Sequence, residues 1–154
     1  MSAAVLSPSI PAAAQTRRIV HRTRGRAHGA IVRLVSPSDV GQLIKPFVFL
    51  DYIDVDAHSA PRFGWHPHSG IATLTLSFEG GFAYEDSTGA KGEMGAGAVE
   101  WMQAGGGVWH TGRSVGQRAQ GYQLWVALPP GAENSPAQSR YLDADRFPRR
   151  GPAR

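Results

Sequence analysis

Apolar and polar residues alternate with a period of two in short runs along most of this chain, and glycine-rich turns separate the runs. No stretch carries the 3.6-residue periodicity of a long amphipathic helix. The clearest run is 71–78, where Ala72, Leu74, Leu76 and Phe78 are apolar and Thr73, Thr75 and Ser77 are small and polar. That alternation predicts a sheet strand with the apolar row facing inward. Further strands are expected at 30–35, 46–53, 99–102, 108–111 and 122–128, with a hairpin of 82–86 and 91–94 around the turn 87–90. Ser36-Pro37-Ser38-Asp39 predicts a turn or a short helical start, since Ser and Asp cap and Pro suits a first helical position. Thirteen of the 19 glycines fall between positions 80 and 131, spaced as punctuation between strands. The pattern predicts an all-β protein, a sandwich or a barrel.

Composition bounds this picture. The chain has 154 residues, 42% hydrophobic and 18% charged, which suits one globular domain. There is no cysteine, so disulfides and zinc–thiolate sites are excluded and any metal must sit on nitrogen and oxygen ligands. No apolar run approaches the roughly 20 residues of a membrane helix, so no membrane role is expected. Residues 1–16 read as a flexible Ala/Ser/Pro-rich leader: no basic residue precedes the Ala12-Ala13-Ala14 run, and Pro8 and Pro11 interrupt it, unlike a secretory signal. A cytoplasmic location is expected. The net charge of +4 is uneven. Seven basic residues crowd positions 1–45 against the single acid Asp39, while eight acids occupy 51–100 against Arg62 and Lys91. A basic arm can bind phosphates, but no aromatic or amide residues interleave it for base readout. An arm kept soluble by charge, or lying on the acidic half of its own domain, is the expectation, and nucleic acid is not.

The chemistry concentrates in three histidines. His66 and His68 flank Pro67, and on an extended backbone they leave the same face roughly 6–7 Å apart. Their parity matches the apolar row of 71–78, which places them inside if the strand runs on through Ser69 and Gly70. Pro67 requires an edge strand or a barrel rim. His110 follows 42 residues after His68, beyond Gly105-Gly106-Gly107. Three neutral imidazoles suit Fe, Zn, Cu or Ni and leave positions free for water or a ligand. The competing reading of the spacing is a solvated His66–His68 pair with His110 as a satisfied core residue.

In order and spacing, several blocks together resemble the pirin family: 45–51 (KPFVFLD), 66–70 (HPHSG), 79–81 with 85–87, 101–107 (WMQAGGG) running up to His110, and 123–126 (QLWV). The resemblance covers about residues 17–130. It implies a cupin-type β-barrel (a double-stranded β-helix, jelly-roll-like) over 17–135, with one divalent metal ion, usually iron with Zn, Ni, Cu or Mn as alternatives. It maps the family's three histidine ligands onto His66, His68 and His110. It implies either oxygen-dependent oxidation of a small aromatic substrate, a phenolic such as the flavonol quercetin, or a non-catalytic redox-sensing or regulatory role on a protein partner, a transcription factor or metabolic enzyme. Two departures stand out. Pirins carry a glutamate ligand two residues after the third histidine, where this chain has Gly112, and cupins often place an acid where it has Ala72. The resemblance also implies two cupin domains, so residues 136–154, basic and Pro-containing, resemble the linker to a missing second domain. A lone domain would expose an apolar face, and the expectation is that a homodimer covers it or else that the chain is a fragment.

Other candidates are read as structural. Glu100 could supply a carboxylate, although a solvent-facing acid is the expected state. Trp65, Trp101, Trp109 and Trp125 could wall an aromatic pocket, but core filling is the expectation. His21, His28 and His58 are expected in solvent, and Arg113 on the surface.

Overall fold

Residues 18–56 and 63–148 are described by a computed structural model. Nine strands build one antiparallel sheet that curls on itself: β1 Arg26–His28, β2 Ile31–Val35, β3 Phe47–Asp56, β4 Phe63–His68, β5 Ile71–Asp86, β6 Lys91–Met94, β7 Val99–Gln103, β8 Val108–Ala127 and β9 Gln138–Leu142. The order is β1-β2-β3-β8-β5-β7-β9, with β4 added to β8 and β6 to β5. The only helical pieces among the described residues are single 3-10 turns at Val40–Gln42 and Ala144–Arg146. Asp39 caps the first, its carboxylate accepting from the Gly41 amide, as the Ser-Pro-Ser-Asp run predicts. No helix among the described residues is long and apolar enough to cross a membrane.

Two long strands hold the barrel together. The last part of β8 pairs with β3 on one side and with the first half of β5 on the other. Its first part pairs with β4 and with the second half of β5, which itself carries β6. β5 turns between these two halves at the 79–81 corner, where its register on β8 shifts twice. Gly80 sits there at φ +65°, and a Cβ on it would overlap the Arg118 carbonyl, so the corner needs glycine. The chain thus bends here inside one strand, and the two expected strands 108–111 and 122–128 are the ends of one.

The β5 alternation holds, but its faces are reversed from expectation. Thr73, Thr75 and Ser77 are buried, whereas Leu74 and Leu76 are half-buried and Phe78 is 42% exposed; of the apolar row only Ala72 is buried as expected. Thr75 lies across from Glu100 on β7 and Gln123 on β8, and these three polar side chains share the barrel interior. The apolar row pairs instead with Val99, Trp101, Tyr122 and Leu124 on the outer face. The inference from parity failed because Gly70, at φ +68°, breaks the chain between β4 and β5, so face alternation does not carry across. The apolar core is correspondingly small and divided. Met102, Ala104 and Val108 form one cluster, and Ile53, Val55 and Ala119 another. On β3 the inward row Phe49, Asp51, Ile53 and Val55 includes a buried aspartate, which Arg33 holds with two hydrogen bonds of 3.1 and 3.2 Å.

Strands β1 and β9 carry no sequence signal that predicts them. β9 lies within the segment expected as a linker and pairs with β7 along its whole length. It delivers Tyr141 to the barrel, with consequences for the site below. The leader, His58 and the last residues of the tail lie outside the described residues.

Candidate metal centre

Among the described residues β4 is an edge strand bonded to β8 alone, which accommodates the missing amide of Pro67. Its register places His66 directly across from His110, and His68 two residues further along on the same side. The three rings converge with centroid separations of 4.2 Å (His66–His110), 4.9 Å (His68–His110) and 5.1 Å (His66–His68). One nitrogen from each lies within 4.8 Å of the others. Among the described residues this is the one His/Asp/Glu cluster with such spacing.

The free nitrogens can be assigned from the hydrogen bonds. His66 Nδ1 lies 2.8 Å from the Gly64 carbonyl oxygen, which can only accept, so Nδ1 carries the proton and Nε2 keeps its lone pair. His68 Nε2 and His110 Nε2 are buried and have no hydrogen-bond partner among the described residues. A buried polar atom is normally paired. Two such atoms in one histidine cluster, with a third lone pair beside them, fit the donor set of a divalent transition metal. Burial, and then the neighbouring imidazole of His66, pushes both His68 and His110 down to about 4, so both are neutral near pH 7 and able to ligate. The competing reading of solvated histidines around a satisfied His110 does not hold: His68 and His110 are 9% and 8% exposed.

A cavity of about 110 Å³ opens beside this cluster, walled by His66 and His110 together with Thr75, Glu100, Gln123 and Asp51. Through Phe63, Tyr84 and Gly112 it meets a wider outer cleft. Glu100 is thus a correction to the sequence reading: it is 5% exposed and faces the cavity rather than solvent. Thr75 donates to Glu100 Oε2 at 2.5 Å, and Gln123 and Trp125 continue that chain of hydrogen bonds at 3.4 and 3.2 Å. Burial raises Glu100 above the ordinary glutamate range. The signal available in the sequence was its place two residues before the apolar Met102, on the same face of β7.

The tryptophans divide. Trp125 stacks on Phe49 at 4.1 Å and packs edge-on against the His68 ring at 4.9 Å. Trp101 lies on the outer face, and Trp65 and Trp109 are 51% and 53% exposed, so neither of these two fills the core. Their strands alternate, and the histidines take the inward positions, which leaves the tryptophans outside. His21 and His28 are exposed as expected, though His28 belongs to β1. Arg113 is on the surface, 3.8 Å from Glu93.

The family model for Pirin matches residues 26–126, well over half of the chain. The chain belongs to the pirin family. Among its relatives is a protein of Pseudomonas aeruginosa named "Putative quercetin 2,3-dioxygenase", 40% identical over 77% of this chain and 45% of the relative. A pirin-like protein of Caulobacter vibrioides is 36% identical over 78% of this chain and 46% of the relative. Among solved structures, a quercetin 2,3-dioxygenase from Acinetobacter baumannii superimposes with a TM-score of 0.69 at 31% identity, over 77% of this chain and 44% of that one. This pirin therefore spans less than half the length of each of these three relatives. The likeness confirms the cupin barrel expected from the sequence.

Proposed function

We propose that this pirin binds one divalent metal ion through Nε2 of His66, His68 and His110 and uses it for oxygen-dependent oxidation of a small phenolic, in the manner of a quercetin 2,3-dioxygenase. The observation that carries the reading is the convergence of three imidazoles, two of them with buried, unpartnered Nε2 atoms, on the wall of a cavity. The names of two relatives, one of them solved, support the substrate class. When bound, a redox-active metal, with iron as the leading choice, supplies Lewis acidity and access to dioxygen chemistry. The protein's own part is to hold three neutral donors in place. The Gly64 carbonyl fixes the His66 tautomer, Trp125 backs His68, and the β4–β8 register sets His66 against His110. Gly112 brings no carboxylate to the site, so the ligand set offered is three neutral nitrogens.

The test is metal analysis of purified protein followed by oxygen uptake with quercetin. About one iron per chain and substrate-dependent oxygen consumption support the proposal. Metal uptake without turnover, together with a specific protein captured by the tagged chain, would move the reading to the regulatory role.

A further inference from the structure

The cavity beside the histidines and the cleft outside it share five wall residues, Phe63, Ala83, Tyr84, Thr111 and Gly112. Three of these form one row across the sheet: Gly112 of β8 pairs with Phe63 of β4 on one side and with Tyr84 of β5 on the other. The passage between the two spaces is thus floored by a residue without a side chain and flanked by two aromatic residues. Both flanks are held. Thr111 donates a 2.6 Å hydrogen bond to the Phe63 carbonyl, which ties that end of β4 to β8. Tyr84 stacks on Tyr141, delivered by β9, with ring centroids 3.5 Å apart and planes at 7°. The Tyr84 hydroxyl lies over Gly92 of β6, on the edge of β5 away from Gly112; a Cβ on Gly92 would come within 2.7 Å of it.

The fold does not need glycine at 112. The backbone there lies outside the left-handed region. Among the described residues an added Cβ would meet one atom within 4 Å, the Ala83 carbonyl oxygen at 3.7 Å, which is ordinary contact. A strand position of this kind takes other residues readily, β-branched ones above all. What the missing side chain leaves is room, because position 112 shares the inward face with His110 and a side chain would stand in the passage. The two spaces are unequal. The inner cavity carries the imidazoles but holds only about 110 Å³, less than the roughly 150 Å³ that encloses a benzene ring. The outer cleft offers about 830 Å³, within the roughly 300–1,000 Å³ of small-molecule sites, and no imidazole lines it among the described residues. Its charged side chains are paired, Lys91 with Glu85 at 2.9 Å and Arg113 with Glu93 at 3.8 Å, so it offers polar groups without an unbalanced charge.

From this arrangement we infer that Gly112 is a specificity-determining residue: it keeps open a slot between Phe63 and Tyr84 through which a neutral, planar, multi-ring phenolic spans both spaces. The oxygen-bearing edge of such a ligand reaches the imidazoles, its middle lies between aromatic walls, and its remaining rings occupy the cleft. The inference rests on the proposal that a phenolic enters this cavity, and adds that the ligand is larger than a single ring.

The experiment compares the wild type with Gly112→Val and Gly112→Ala, each loaded with cobalt(II). Binding of azide, a small linear anion, is followed in the visible spectrum of the cobalt, and binding of quercetin by calorimetry. Quercetin should bind at least about tenfold more weakly to Gly112→Val than to the wild type, the effect of one excess methylene in a closed pocket or more. Gly112→Ala should fall between the two. Azide fits the inner cavity alone, so its affinity should be the same in all three. Equal quercetin affinities overturn the inference and leave the phenolic reading standing, whereas a wild type that binds azide but not quercetin overturns both. A loss of azide binding that matches the loss of quercetin also overturns the inference, because the substitution has then changed the metal centre and not the passage. Should Gly112→Val fail to fold, Gly112→Ala decides in its place, and quercetin affinity equal to that of the wild type overturns the inference.

Discussion

Replacing His68 by leucine should make the metal-free protein more stable and the metal-loaded protein less so. His68 is 9% exposed, and its Nε2 has no hydrogen-bond partner among the described residues. Burying such an atom unpaired costs about 1–3 kcal/mol. Leucine has similar bulk and no polar atom, so that cost vanishes. The substitution also loses the edge-on contact with Trp125 at 4.9 Å, worth roughly 0.5–1 kcal/mol. The balance favours the metal-free variant by about 1 kcal/mol, or about 2–4 °C in Tm for a chain of this length. The wild type recovers more when metal binds: about 2.7 kcal/mol at a free concentration a hundred times Kd. The order of stabilities therefore inverts on adding metal. Thermal unfolding near pH 7.5, with chelator and then with excess zinc, reads both halves. A chelated variant less stable than chelated wild type by 2 kcal/mol or more, or equal stabilisation of both by zinc, would refute the reasoning.

Four further outcomes follow from the same structure. Because His68 and His110 fall to about 4 in the folded protein, the unfolded chain binds more protons between pH 6.5 and about 4; stability of the metal-free protein is therefore lost as pH falls through that window, which urea midpoints measured against pH will show. Glu100, raised by burial, acts with the opposite sign, so Glu100→Gln should remove a loss of stability that accompanies rising pH. Gly112→Glu should tighten metal binding by about tenfold or more (~1.4 kcal/mol) in competition with a chelator, because a Cβ there meets only the Ala83 carbonyl at 3.7 Å and position 112 shares the inward face with His110. On the outer face Tyr52, Phe78 and Tyr122 cluster with ring centroids 5.4–6.3 Å apart, and Phe78 and Tyr122 are 42% and 38% exposed; light scattering should report a dimer, and Phe78→Asp a smaller species.

Much of the barrel was legible because period-two alternation and turn residues are local signals. The 82–94 hairpin and the strand at 99–103 emerged within a residue of expectation. The site was legible for a different reason: two histidines one residue apart and a third after a glycine run are unusual enough to be noticed. The direction in which each face points is not a local property. In most half-buried strands the apolar row faces the core, but this barrel keeps a polar interior where Thr75, Glu100 and Gln123 bond one another, and turns Leu74 and Leu76 outward. Glu100 was misplaced for the same reason. β9 was invisible because its five residues, QSRYL, draw their stability from pairing with β7 rather than from any pattern of their own.

The central claim is that His66, His68 and His110 hold a single metal ion through Nε2. Anomalous diffraction from a metal-loaded crystal, collected on both sides of the metal's absorption edge, tests it most directly. One strong peak is expected at about 2.0–2.1 Å from all three Nε2 atoms, as for zinc–imidazole bonds generally. A loaded crystal with no peak there, or with His110 turned away from the other two rings, would contradict it.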